Sequence, residues 1–167
     1  MRRILDKINS PEDLKEVLRE NLPKVAEEIR ETLLNTISKT GGHLASNMGV
    51  VELTLALHYV FESPRDKFVW DVGHQTYVHK LLTGRQEDFG TLRQYKGLCG
   101  FTRREESPHD HWNCGHGGTS ITGALAFAMA RDLKKEDNKV VAIIGDGSLT
   151  AGMALEGLNH TGHLQND

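Results

Sequence analysis

Two apolar runs, each followed by a glycine-rich polar turn, constrain the fold of this chain more than any other feature. The run over 68–72 leads into Gly73-His74, and the run over 139–144 leads into Gly145-Asp146-Gly147-Ser148. Apolar strands separated by helical sequence are typical of a parallel α/β sheet with flanking helices. Ligands of such sheets bind beyond the carboxyl ends of the strands. We therefore expect His74 and Asp146 at a ligand-binding edge.

Helical periodicity and capping residues predict six helices around these strands. The first is a short helix that is capped by Ser10, begins at Pro11 and carries Leu14, Val17, Leu18 and Leu22. The second covers 23–39 and is ended by Gly41-Gly42, and the third is capped by Ser46 or Asn47 and reaches 62. The other three cover 75–82, 121–134 (capped by Thr119-Ser120) and 150–159. The stretch over 84–116 has no sustained period and is predicted to be a long functional loop.

Size and charge limit the classes of protein and partner. A chain of 167 residues, 38% of them hydrophobic, is long enough to bury roughly 70% of its unfolded surface, so one compact domain is expected. We find no internal repeat or linker. The 20 Lys and Arg against 23 Asp and Glu give a net charge of −3, which leaves no basic face for a phosphate backbone. Nucleic acid is therefore not expected as a partner.

The amino-terminal residues and the cysteines bear on localisation. The first twenty residues are highly charged and hold no apolar core of a secretory signal, and no apolar run reaches the roughly 18 residues that a membrane span needs. Cys99 and Cys114 are too few for a disulfide framework. We therefore expect a cytoplasmic protein without a membrane segment.

The Gly145-Asp146-Gly147 turn is the strongest indication of a ligand-binding site in the sequence. Its glycines let the backbone approach a ligand closely, and a following helix start favours phosphate. A carboxylate beside a diphosphate needs a bridging divalent cation, so Asp146 is predicted to be a Mg²⁺ ligand. The alternative is that Asp146 only caps a helix after a tight turn.

Three segments carry a family resemblance. They are 38–53, which includes Gly41-Gly42-His43 and Ser46-Asn47, then Trp70-Asp71-Val72-Gly73-His74-Gln75, and 145–154. Together they closely resemble the amino-terminal part of the 1-deoxy-D-xylulose-5-phosphate synthases, a family of the transketolase superfamily. The resemblance implies a thiamine-diphosphate-binding, transketolase-like fold that is incomplete, with 1–167 as the amino-terminal part of the cofactor-binding domain and two further domains absent.

The same resemblance implies a reaction. Members of the family use thiamine diphosphate and Mg²⁺ to condense pyruvate with glyceraldehyde 3-phosphate with loss of CO₂, the first step of the non-mevalonate isoprenoid pathway. The expected enzyme is a transferase with small-molecule substrates that forms a homodimer or needs a missing carboxyl-terminal part. This chain alone is expected to be inactive.

Site residues follow from the resemblance position by position. His43 matches a catalytic histidine at the reacting centre, and His74 matches one that is catalytic and also binds the cofactor near its diphosphate. The implied cofactor-binding set is His74, Gly115, His116, Gly117, Asp146, Gly147 and Ser148, with Asp146 as the metal ligand. Here Gly117-Gly118 stand where the family has two serines, so any contact of those hydroxyls is lost.

Other histidines have competing interpretations. His58 and His79 fall inside predicted helices and are interpreted as packing or surface residues. The histidines and cysteine of 109–116 are close enough along the chain to suggest a zinc site. The preferred interpretation of that stretch is a mobile loop near the cofactor.

The GDG motif normally ends with an asparagine that supplies a second Mg²⁺ ligand, and the sequence stops before it. Asn159 falls in a predicted helix and Asn166 in the following turn, so neither is counted. Three hypotheses stay open: the amino-terminal portion of a thiamine-diphosphate transferase, a noncatalytic remnant or interaction module, and a split transketolase-like subunit of other specificity. An incomplete sheet also predicts self-association through exposed apolar edges.

Overall fold

A computed structural model describes residues 3–165 in two compact units. The first unit holds the described residues up to Glu62 together with His74–Gly100, and the second holds Ser63–Gly73 with the described residues from Phe101 onward. The helices are α1 (Pro11–Lys15), α2 (Leu22–Thr40), α3 (Leu44–Met48), α4 (Val51–Val60), α5 (Tyr77–Leu82), α6 (Ser120–Lys134), α7 (Asp146–Leu149) and α8 (Gly152–Leu164), and the strands are β1 (Lys67–Trp70) and β2 (Val140–Ile143).

The first unit packs α1–α5 around one apolar core. The periodic residues predicted for the second helix, Val25, Ile29, Leu33 and Ile37, are all buried in this core. Gly41 ends α2 with a φ of +72°, a backbone conformation that glycine adopts without strain. The prediction for this helix is confirmed to within one residue at each end.

Two helix predictions in the first unit are wrong in detail. In the first helix the Ser10 hydroxyl accepts the Asp13 N–H, and the Asp13 carboxylate accepts the Ser10 N–H. The helix ends at Lys15, however, so Val17, Leu18 and Leu22 lie beyond it. The predicted third helix is two helices, α3 and α4, interrupted at Gly49 and Val50. Asn47 lies inside α3 with a buried side chain, so it does not cap the third helix as predicted.

The second unit contains the sheet and confirms its parallel sense. The two strands pair in parallel, with Lys67 opposite Val140 and Trp70 opposite Ile143. The α/β fold with a parallel sheet and flanking helices is therefore confirmed. β1 ends at Trp70, two residues before the predicted end, because Val72 has a φ of +58° that no strand residue adopts.

The remaining elements of the second unit depart modestly from prediction. The α6 helix has the predicted extent, whereas the last predicted helix over 150–159 is α8, which runs on to Leu164. The turn predicted at Asp146 is the start of α7, a helix of four residues. Over 84–116 the only helical turn in the described structure is a 3₁₀ turn at Phe89–Thr91, as a long loop predicts.

Within the described residues, no helix combines the length and the apolar character needed to cross a membrane.

Candidate functional site

The first unit brings His43 and His74 together. His43 is exposed at the amino end of α3, and His74 is half-buried just after Gly73. Their imidazole rings lie 5.3 Å apart between centroids and meet edge to face at 76°. Although 31 positions separate the two residues in the sequence, the fold places them side by side. Two adjacent imidazoles can exchange protons with substrate hydroxyl or carboxylate groups near neutral pH.

Asn47 connects the segments that carry these two histidines. Its fully buried amide Nδ2 donates to the carbonyl oxygens of His43 (2.7 Å) and His74 (2.8 Å). Its Oδ1 accepts the backbone N–H of Tyr77 (2.8 Å). Sequence reasoning assigned Asn47 only as a helix cap; its position among the residues that carry the resemblance was the signal that could have found this role.

Tyr77, the first residue of α5, contacts both His43 and Asn47. Its hydroxyl is buried and accepts the backbone N–H of His43 at 3.5 Å. Burial raises the pKa of this hydroxyl, although the bond from His43 acts in the opposite sense. A side chain at Gly42 would place its Cβ 2.9 Å from the Tyr77 hydroxyl oxygen, so this position requires glycine.

In the second unit, Asp71 is a site residue that sequence reasoning did not single out. It follows β1 directly and is fully buried. Its Oδ1 accepts the N–H of Gly118 (2.8 Å) and its Oδ2 accepts the N–H of Ser120 (3.0 Å). Burial favours the protonated carboxyl, but these two amides and the hydroxyls of Ser120 and Ser148 together outweigh burial, and the pKa of Asp71 is lowered.

These contacts correct the predicted cap of α6. Thr119 occupies the cap position, but its side chain makes no capping bond and donates instead to the carbonyl of His116 (3.2 Å). The backbone N–H of Ser120 at the start of the helix is satisfied by Asp71, a residue from another segment of the chain. A carboxylate at a helix amino terminus also interacts favourably with the helix dipole.

The backbone beside Asp71 is strained. Val72 has a φ of +58°, which is rare for a β-branched residue, and Gly73 follows with a φ of +87°. A Cβ at Gly73 would lie 2.6 Å from the Cβ of Cys114, whose Sγ donates to the Trp70 carbonyl (3.0 Å). Strain of this kind clusters at functional sites.

Asp146 lies at the same edge of the sheet as Asp71. The strand register aligns Trp70 with Ile143, so the chain leaves both strands at this edge. Asp146 is exposed, and its Oδ1 accepts the N–H of Gly147 (2.8 Å). A Cβ at Gly145 or Gly147 would meet no atom within 4 Å. The turn therefore presents one carboxylate and two open glycines.

This arrangement fits one part of a Mg²⁺ and diphosphate site. No cluster of three or more His, Cys, Asp or Glu within residues 3–165 is arranged to hold a metal. Mg²⁺ commonly takes one or two carboxylates and completes its shell with phosphate oxygens and water. The single exposed carboxylate of Asp146, flanked by two glycines with free space around them, is compatible with this coordination. The four residues of α7 give little helix dipole, so the predicted contribution of the helix start is weak.

The 115–118 segment contacts Asp71 through the backbone N–H of Gly118. Gly115 and Gly117 are exposed, as is His116, whose carbonyl accepts the N–H of Val72 (3.3 Å). A Cβ at Gly117 would lie 3.3 Å from the Ser148 hydroxyl oxygen, whereas a Cβ at Gly118 would lie 2.8 Å from the Cβ of Ala151. The predicted residues Gly117 and Ser148 are therefore neighbours.

The zinc alternative for 109–116 is not supported, because the described residues form no three-ligand cluster there. The ring of His109 is instead within hydrogen-bond distance of the Ser63 hydroxyl (2.9 Å). His58 and His79 are packing residues, as expected: both are fully buried, and Nε2 of His58 lies 2.9 Å from Nδ1 of His79. Asn159 lies in α8, and Asn166 lies outside the described residues.

Gly117 and Gly118 are expected to differ in their tolerance of alanine. Gly118→Ala should lower the free energy of unfolding by about 2 kcal/mol, because φ is +81° there and the new Cβ meets Ala151. Gly117→Ala is the matched control and should change it by less than about 0.5 kcal/mol, since φ is not in the left-handed region there and the nearest facing atom, the Ser148 hydroxyl oxygen, lies 3.3 Å away. Urea unfolding of both variants measures the difference. Equal losses would contradict this account of Gly118.

The fold and the candidate site define a class: an α/β protein whose polar groups gather at the carboxyl ends of parallel strands. Comparison with known proteins narrows that class. A family model for 1-deoxy-D-xylulose-5-phosphate synthase matches residues 5–167. The chain therefore belongs to the 1-deoxy-D-xylulose-5-phosphate synthase family.

Individual relatives agree with this assignment. The chain is 66% identical to the 1-deoxy-D-xylulose-5-phosphate synthase of Brevibacillus brevis over 160 residues, which cover 96% of this chain and 26% of that protein. It is 62% identical to the synthase of Heliobacterium modesticaldum, over 100% of this chain and 26% of that protein. The corresponding figures for the synthase of Dictyoglomus turgidum are 61%, 98% and 26%. The chain spans about a quarter of the length of these relatives.

Proposed function

We propose that this chain is the amino-terminal part of the thiamine-diphosphate-binding domain of a 1-deoxy-D-xylulose-5-phosphate synthase. The single observation that carries the proposal is 66% identity to a synthase over 96% of the chain. The proposed reaction is the condensation of pyruvate with glyceraldehyde 3-phosphate with loss of CO₂. The working enzyme is proposed to be a cytoplasmic homodimer that also contains the polypeptide corresponding to the rest of the family's length.

Asp146 is the proposed Mg²⁺ ligand. Its exposed carboxylate would hold the ion, and Gly147, Ser148 and the 115–117 segment would hold the diphosphate. Open space at Gly147 and the exposure of Gly115 and Gly117 support this assignment. Thiamine diphosphate, when bound, would supply the electron sink that permits decarboxylation.

His43 and His74 are the proposed acid–base groups. Their edge-to-face contact and the exposure of His43 support a role in proton exchange with substrate oxygens. The proton would be held at a ring nitrogen and delivered to a hydroxyl or carboxylate of the substrate. His74 is also proposed to contact the cofactor.

Calorimetric titration with thiamine diphosphate tests the proposal. We expect micromolar binding that requires Mg²⁺, either for the chain alone or after addition of the polypeptide encoded immediately downstream. Pyruvate decarboxylation should appear only in the second mixture. Asp146→Asn should weaken binding at least about tenfold, or 1.4 kcal/mol, because a neutral amide oxygen attracts Mg²⁺ less strongly than a charged carboxylate does.

Glu156→Gln is the matched control, since it neutralises an exposed carboxylate in α8 of the same unit. Its affinity should equal that of the wild-type chain. Absence of binding in both mixtures would overturn the proposal and favour a noncatalytic remnant or interaction module. Cofactor binding with decarboxylation but no use of glyceraldehyde 3-phosphate would indicate a transketolase-like subunit of other specificity.

A further inference from the structure

We propose that Asn47 is a positioning residue for His43 and His74. Its side-chain amide fixes the two backbone segments from which the imidazoles project, and thereby sets the distance and angle between the rings. The inference rests on the proposed function, because only there do the two histidines act on a substrate. No role in the reaction is proposed for Asn47 itself.

An asparagine side chain offers two N–H donors and one carbonyl acceptor. Both donors go to the histidine carbonyls at 2.7 and 2.8 Å, and the acceptor takes the Tyr77 N–H at 2.8 Å. One planar group therefore connects three chain segments: the residue before α3, the residue after Gly73 and the start of α5.

Other residue types cannot make this set of bonds. Aspartate of the same size would aim an oxygen at the two carbonyls, and serine has one donor and is shorter. Glutamine is one methylene longer, and the site has no free volume because Asn47 is fully buried. Asparagine alone satisfies three backbone groups in this space.

The bonds of Asn47 differ from those of Thr54, another buried polar side chain in the same unit. Thr54 is equally buried, but its hydroxyl donates to the carbonyl of Val50 one turn earlier in the chain. Removing that bond affects α4 locally. Removing the Asn47 amide releases two segments that each carry an imidazole, whose rings are 5.3 Å apart.

Nuclear magnetic resonance of the full chain with ¹³C-labelled histidine tests the inference without cofactor. The wild-type chain should show a nuclear Overhauser cross-peak between the rings of His43 and His74, assigned with the single variants His43→Gln and His74→Gln. Asn47→Ser should lose this cross-peak, and both ring signals should move toward that of exposed His160. Urea unfolding of each variant reports whether it is folded.

Thr54→Val is the matched control, because it removes a buried hydrogen bond to Val50 rather than a bond to a histidine segment. It should lower stability and keep the cross-peak. Tyr77→Phe removes only the hydroxyl that accepts the His43 N–H, so it should shift the His43 signal and retain the cross-peak. If Asn47→Ser does not fold, Asn47→Asp keeps the size and the acceptor for Tyr77 and should lose the cross-peak as well.

A cross-peak that persists in a folded Asn47 variant would overturn the inference. So would a wild-type chain without the cross-peak, or equal loss of it in Thr54→Val. The proposed function can fail while this inference holds. In that case thiamine diphosphate does not bind, but the cross-peak behaves as expected in every variant.

Discussion

Asp71→Asn is expected to lower the free energy of unfolding by about 3 kcal/mol. The carboxylate accepts the N–H groups of Gly118 and Ser120 at 2.8 and 3.0 Å, and hydrogen bonds to a buried charge are worth about 1.5–3 kcal/mol each. Asparagine removes the charge and turns an NH₂ group toward one of these donors. Urea unfolding at neutral pH measures the loss.

The pH dependence of this stability has a definite sign. Burial raises the pKa of Asp71, but the backbone amides of Ser120 and Gly118 and the hydroxyls of Ser120 and Ser148 together outweigh it, and the folded pKa lies below its ordinary value of 3.8. Because the folded pKa is lowered, the stabilisation is fully present above the unfolded pKa and is lost as pH falls through the folded pKa. Asp71→Asn should therefore lose less stability than the wild-type chain between neutral and strongly acidic pH.

Asp132→Asn is the control for Asp71. It removes an exposed carboxylate beside Arg131 in the same unit, and such surface pairs contribute at most about 1 kcal/mol. Equal stabilities of the two variants would contradict the capping role of Asp71. Equal acid sensitivity of the wild-type chain and Asp71→Asn would contradict it as well.

Gly73→Ala is expected to destabilise the chain by about 4 kcal/mol, the largest effect of any substitution considered. The backbone has a φ of +87°, which costs an alanine about 1–3 kcal/mol. The new Cβ would also lie 2.6 Å from the Cβ of Cys114, an atom next to the backbone that cannot rotate away. Relief requires a shift of the backbone.

Gly145→Ala separates this effect from the general cost of replacing a glycine. Gly145 has a φ of −79° and a Cβ there meets no atom within 4 Å, so the variant should be as stable as wild type or slightly more stable. Both variants are compared by urea unfolding. A loss below about 1 kcal/mol for Gly73→Ala would show that the segment relaxes easily.

Local patterns were sufficient to predict most of the regular elements. The four-residue spacing of Val25, Ile29 and Leu33 predicts α2, and the two apolar runs predict parallel strands, because these signals depend on neighbours in the sequence. The strand-end positions singled out His74 and Asp146, the Gly145-Asp146-Gly147 turn predicted Asp146 as a Mg²⁺ ligand, and the family resemblance added His43. The structure adds that His43 and His74 are adjacent and that Asp146 is exposed.

Contacts between distant segments could not be predicted in this way. Asp71 was interpreted as part of a strand, but its carboxylate caps α6, which begins 49 positions later. Asn47 was interpreted as a helix cap, but its bonding partners His74 and Tyr77 lie 27 and 30 positions away. No periodicity or capping rule contains such pairings, since they depend on the tertiary fold.

Under the proposed function, this chain contributes the magnesium-dependent diphosphate site of a thiamine-diphosphate enzyme. The most direct test is the affinity for thiamine diphosphate, measured by calorimetry with and without Mg²⁺ in wild type and Asp146→Asn, each with the downstream polypeptide present. The account predicts binding that requires Mg²⁺ and is weakened at least about tenfold by the substitution. Binding that is absent, or unaffected by both Mg²⁺ and the substitution, would contradict it.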